Sequence, residues 1–182
     1  MVVLGDSFAY GYGARKGETF WELAPELKIK PIGCPGYDMV QEVQALRHIG
    51  DQLAGKLVCW LVYLENDIAD SLRPHLRGYR KPFVRKAQGT GRWEIVTSHV
   101  RPEKWTHSGA GDLHNMKILA ALCSPGQIAD HYYEACRYLI DEAAGICRRH
   151  GATLVVVTVP NMNQLGPAGQ AYLSSLALDR AA

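Results

Sequence analysis

The chain has 182 residues, of which 47% are hydrophobic and 21% charged, and its formal net charge is +2. That is enough chain to bury a sizeable core in one domain, and the balance excludes wholesale disorder. It gives no electrostatic reason for a polyanionic partner, and no run approaches the roughly eighteen apolar residues of a membrane span.

Five cysteines (Cys34, Cys59, Cys123, Cys136 and Cys147) are odd in number and widely spaced, with no CxxC or Cys/His cluster. They read as reduced, mostly buried thiols of a cytoplasmic protein rather than as a disulfide framework or a zinc site. No basic segment followed by an apolar one marks a signal peptide. Met1 abuts the first apolar run, so residues that precede this run in relatives are expected to be missing here.

Four apolar runs are continuous rather than alternating, which predicts buried strands of a parallel sheet at residues 2–4, 29–32, 57–64 and 153–159. Helical spacing falls between them. A short helix is expected over 19–27. A longer one is expected over 38–53, with Asp38 as N-cap and Val40, Val43, Leu46 and Ile49 on one face. The clearest covers 128–149, with Tyr132, Ala135, Leu139, Ala143 and Ile146 on its apolar side and basic residues at its end. Strands alternating with helices predict an open α/β sheet in a single domain.

The stretch from about 71 to 124 breaks this rhythm. Residues 71–107 carry nine Lys and Arg against two Glu, and "KPFVRKAQGTGRWEIVTSHV" reads as two strands around a Gly-Thr-Gly turn. A basic insertion with a β-hairpin is either a lid that steers an anionic substrate or a solvated elaboration. It has no recognition helix or aromatic stacking pattern, so no nucleic-acid partner is expected.

The first run leads into "GDSF". Ser7 then follows a strand directly, on the sheet edge where ligands bind in open parallel sheets. The pattern Gly5-x-Ser7-x-Ala9 approaches a nucleophile elbow without its last glycine, and is equally an ordinary turn. The second run leads into "GCPGYD", where Gly36 offers a backbone N–H with no side chain in the way. The third leads into "LENDI", where Asn66 offers an amide, or else caps a helix over Ile68. Ser7 N–H, Gly36 N–H and the Asn66 side chain are together the donor set of an oxyanion hole. "GYGARKGET" (residues 11–19) matches no phosphate-loop pattern and reads as the flexible segment after the serine turn.

Taken in order, "VVLGDSF", "IGCPGYDM" and "LENDI" resemble the first three blocks of the SGNH (GDSL) hydrolases. "ETF", "ENDIAD" and "YRKP" extend the likeness over about the first 85 residues. The resemblance implies a flavodoxin-like three-layer α/β fold with a mainly parallel sheet and esterase or lipase chemistry, O-acyl transfer included. It implies Ser7 as nucleophile, Gly36 and Asn66 completing the oxyanion hole, and no metal or cofactor. The expected partner is a small-molecule ester, anionic and carbohydrate-linked esters included.

Two departures stand out. Leu64 occupies the place of a family glycine two residues before Asn66, and none of the seven histidines has the Asp three positions earlier that the family's D-x-x-H block requires. His114, in Asp112-Leu113-His114, is the nearest candidate for a substitute base. The chain is accordingly expected to be truncated, lacking the C-terminal strand and helix region, and to self-associate over the exposed edge or face this leaves. The alternative to an enzyme is a truncated, catalytically impaired SGNH-like protein that acts as a binding module or has no activity.

Overall fold

The computed structural model describes residues 1–64, 66–76, 79–97, 101–102 and 127–160. Its centre is a four-stranded, all-parallel sheet in the order β2-β1-β3-β9. The strands are β1 (Val2–Gly5), β2 (Lys30–Gly33), β3 (Leu57–Tyr63) and β9 (Thr153–Val159), close to the four apolar runs. The pairing is continuous, with Val2 opposite both Lys30 and Val58, and Leu57 through Tyr63 opposite Thr153 through Val159.

Between the strands lie α1 (Ser7–Tyr10), α2 (Phe20–Leu23), α3 (Met39–His48), α4 (Asp67–Ser71) and α5 (Gln127–Arg149). The α2 segment is shorter than expected. Pro25 restricts Ala24 to a non-helical conformation (φ −126°, ψ 60°), and Pro25–Leu27 continues as a separate 3-10 turn. The third helix is also shorter than expected and ends at His48. Gly50 then opens a 3-10 turn, and a Cβ there would lie 2.6 Å from His150 Nε2, so the His150 ring sits close against this glycine. Asp38 caps α3 as predicted, accepting hydrogen bonds from Val40 N (2.9 Å) and Gln41 N (3.4 Å).

Helices α3 and α5 pack on each other and cover one sheet face. Val58, Trp60 and Val62 from β3 meet Met39, Val43 and Leu46 from α3 and Ala135, Leu139 and Ile146 from α5 in one buried cluster. Each large apolar side chain removed from water there contributes about 1.5–3 kcal/mol. The other face differs from the expected two-sided burial. Leu57, Val155 and Val157 are 41%, 43% and 40% exposed among the described residues, so β3 and β9 alternate in burial.

The insertion contains short strands β4 (His75–Leu76), β5 (Tyr79–Arg80) and β8 (Arg101–Pro102) in one small sheet. The predicted hairpin pairs β6 (Phe83–Lys86) with β7 (Trp93–Val96), and residues 87–92 turn between them. The insertion is less of a free basic surface than its composition suggests. Arg73 pairs with Asp70, Lys81 with Asp38, Arg85 with Glu94 and Lys86 with Glu134. The cysteine reading also needs correction: Cys34 is exposed, while Cys59 and Cys136 are half-buried and Cys147 is buried.

Candidate functional site

Adjacent parallel strands present their carboxyl ends at one edge, so the segments after β1, β2 and β3 emerge side by side. After β1 the chain passes directly into α1. A Cβ at Gly5 would lie 2.9 Å from the Leu61 carbonyl oxygen. One at Gly33 would lie 2.7 Å from the Asp6 carbonyl oxygen and 2.9 Å from Tyr10 N. The two glycines thus let the first turn of α1 sit flush on the strand ends, and any side chain would lift it. Asp6 caps that turn, its Oδ1 accepting from Phe8 N at 2.9 Å. Ser7 is half-buried, and its Oγ donates to Asp6 Oδ2 at 3.1 Å. Beside it the exposed Phe8 ring packs on Tyr63, centroids 4.9 Å apart.

After β2, Tyr37 N donates to the Cys34 carbonyl (3.0 Å) to close a turn in which Gly36 has φ 84°, a left-handed conformation suited to glycine. The Gly36 N–H has no hydrogen-bond acceptor among the described residues. After β3, Leu64 is buried in the core and donates its N–H to the Val159 carbonyl (3.1 Å), so this position serves packing. Asn66 stands at the N-cap of α4, but its side chain makes no capping hydrogen bond. The capping alternative for the Asn66 amide therefore fails in detail, and the group is not consumed by the helix.

Beneath these loops lies a layer the sequence reading missed. Asp6, Asp38, Glu42, Asp67 and Lys81 are all buried. Lys81 Nζ lies 2.6 Å from Asp38 Oδ2 and donates to the Asp70 carbonyl (2.6 Å), which ties the insertion to α3 and α4. Trp60 Nε1 donates to Glu42 Oε2 (2.6 Å), and Tyr63 N donates to Asp67 Oδ2 (2.6 Å). Burial pushes the Glu42 carboxyl well above its ordinary range, with the Trp60 N–H opposing and the charges of Asp38 and Asp6 adding to the rise. Asp67 is pushed the same way by burial first, then by Glu42 and Asp6. A signal was present: Glu42 lies three residues after Met39 and four before Leu46, on the apolar face of α3.

A shallow cleft of about 510 Å³ lies beside α1, lined by Tyr10, Gly11, Arg15, Trp21, Pro31 and Gly33 among others, and Ser7 is not among its walls. His48 ends α3 and His150 directly follows α5, the helices that lead back to the starts of β3 and β9, so both lie at the sheet edge opposite Ser7. The His131 ring packs on Trp93, centroids 4.8 Å apart. His114, the candidate substitute base, lies outside the described residues, as do His99 and His107.

Among the described residues no group of three or more His, Cys, Asp and Glu could hold a metal ion, and no helix is long and apolar enough to cross a membrane. Comparison of the chain with family models, with curated proteins and with solved structures finds no match.

Proposed function

We propose that this chain is a serine hydrolase of the SGNH (GDSL) type with a flavodoxin-like three-layer fold, acting on a small ester by hydrolysis or O-acyl transfer. Ser7 attacks the acyl carbon. The developing oxyanion rests on the N–H groups of Ser7 and Gly36 and on the Asn66 amide, donors that are useful because they are in place before charge develops. The observation that carries this reading is the common sheet edge after β1, β2 and β3, together with a Gly36 N–H that has no acceptor among the described residues and an Asn66 side chain not spent on capping.

A serine alcohol needs a general base. A carboxylate is a far weaker base than imidazole toward an alcohol, so the Asp6 contact orients the Ser7 hydroxyl without activating it. His114 is the in-chain candidate for that base. A second reading, a binding module that holds an ester without turning it over, is favoured by the Ser7–Asp6 bond and by the position of His48 and His150 at the far edge.

Hydrolysis of p-nitrophenyl acetate, compared between wild type and Ser7→Ala, tests the proposal, with fluorophosphonate labelling of Ser7 beside it. The expected result is turnover and labelling that Ser7→Ala removes and Asn66→Ala lowers about 10²–10³-fold in kcat. Equal rates in wild type and Ser7→Ala sink the nucleophile. Loss of turnover in His114→Ala assigns the base. Ester binding without turnover or labelling supports the second reading.

A further inference from the structure

Of the three donors offered to the oxyanion, the Ser7 N–H belongs to the nucleophile's own segment. The other two stand on separate elements. Gly36 lies two residues before Asp38, the N-cap of α3, and Asn66 is the N-cap of α4. Donors on different segments act together only if the distance between those segments is held to within about 0.5 Å.

Each segment is first tied down locally. Tyr63 N donates to Asp67 Oδ2 (2.6 Å) and Asp70 N donates to the Asn66 carbonyl (2.7 Å), which fixes the turn at Asn66 against the end of β3. Asp38 Oδ1 accepts from Val40 N and Gln41 N, which fixes the chain after Gly36 at the head of α3. Lys81 then joins one segment to the other. Its Nζ lies 2.6 Å from Asp38 Oδ2 and donates to the Asp70 carbonyl (2.6 Å) and the Pro82 carbonyl (3.2 Å). An ammonium has three N–H bonds, and these are three oxygens on three segments: the head of α3, the body of α4 and the chain before β6. Ser71 adds a smaller bridge, its Oγ lying 2.6 Å from the Asp67 carbonyl and 3.4 Å from Asp38 Oδ1.

We propose that Lys81 is a positioning residue: its ammonium clamps the Gly36 segment to the Asn66 segment and so sets the spacing of the two oxyanion donors. Its catalytic meaning rests on the hydrolase reading, while the clamp rests on the distances. The Lys81 side chain is 3% exposed and spends its ammonium on these three oxygens, so it acts through Gly36 and Asn66 and not on an ester directly. Methionine would fill much of its volume but join nothing, and the planar fork of arginine does not match three oxygens around one point.

The test is p-nitrophenyl acetate hydrolysis, with hydrogen exchange alongside, on wild type, Ser7→Ala, Asn66→Ala, Ser71→Ala, Lys81→Met and the double variant Asp38→Asn with Lys81→Met. The double variant carries neither charge of the pair, so it separates loss of the clamp from loss of the fold. The expected result is a kcat about 10²-fold lower in the double variant with KM unchanged, the cost of donors misplaced by about 1 Å. Exchange at residues 34–38 and 66–71 should speed up while that of β3 does not. In an Asn66→Ala background the same substitutions should lower kcat far less, because the donor they position is already gone. Ser71→Ala should move kcat and exchange the same way by a smaller factor.

Wild-type kcat in the folded double variant overturns the proposal. So does a kcat loss equally large in the Asn66→Ala background, which is what a merely structural lysine would give. If neither lysine variant folds, Ser71→Ala decides, and unchanged exchange at both segments overturns the clamp. Turnover that Ser7→Ala leaves unchanged, or no turnover at all, sinks the hydrolase reading instead, and the exchange at the two segments then decides the clamp by itself.

Discussion

Two ion pairs in this molecule look alike on paper and differ in almost everything physical. Lys81–Asp38 spans 2.6 Å between side chains that are 3% and 0% exposed. Arg85–Glu94, across the β6–β7 hairpin, spans 2.9 Å between side chains that are 54% and 42% exposed. The hairpin pair forms in water, where screening and side-chain entropy consume most of the Coulomb attraction. The buried pair has already lost its hydration, so each partner is the other's principal remedy, and Lys81 also satisfies the Asp70 and Pro82 carbonyls. The lesson is that a basic insertion is not one object: one of its lysines is a structural part of the core layer under the candidate site, and its hairpin cations are surface groups.

Breaking the buried pair is expected to have the largest effect. Lys81→Met should destabilise the fold by about 3–5 kcal/mol in urea or thermal melts, because Asp38 is left as an uncompensated buried charge. An effect under about 1 kcal/mol would show that water reaches the pair. The second expectation sharpens the cause. Adding Asp38→Asn to Lys81→Met should recover much of that loss, since asparagine still caps α3 and neither member of the pair then carries a charge. If the double variant is as unstable as the two single losses summed, packing rather than charge is responsible. The smallest effect belongs to the hairpin. Arg85→Ala should cost about 0–1 kcal/mol and less at high salt, and a larger loss would mean that the hairpin pair is far drier than its exposure indicates.

Much of the sheet was legible because β1, β3 and β9 lie in largely apolar runs, and the hairpin was legible because its turn chemistry is local. The ends of α2 and α3 were partly legible. Pro25 acts within its own segment, but the ring that packs on Gly50 just past the end of α3 belongs to His150, a hundred residues away. For the candidate site, Ser7, Gly36 and Asn66 could be read from sequence because each follows a strand, and strand order then brings the three segments to one edge. Lys81 could not be read this way, since nothing within a few residues of "YRKP" says that this lysine turns inward.

The sequence by itself determined the α/β class, the four central strands, the Asp38 cap and the residues offered at three strand ends, since these follow from hydrophobic period and local hydrogen bonding. Only the tertiary structure decided which charges leave water. Glu42, Asp67 and Lys81 become buried when α3, α4, α5 and the segment before β6 close over one another. Burial, unlike period or capping, depends on every neighbour at once.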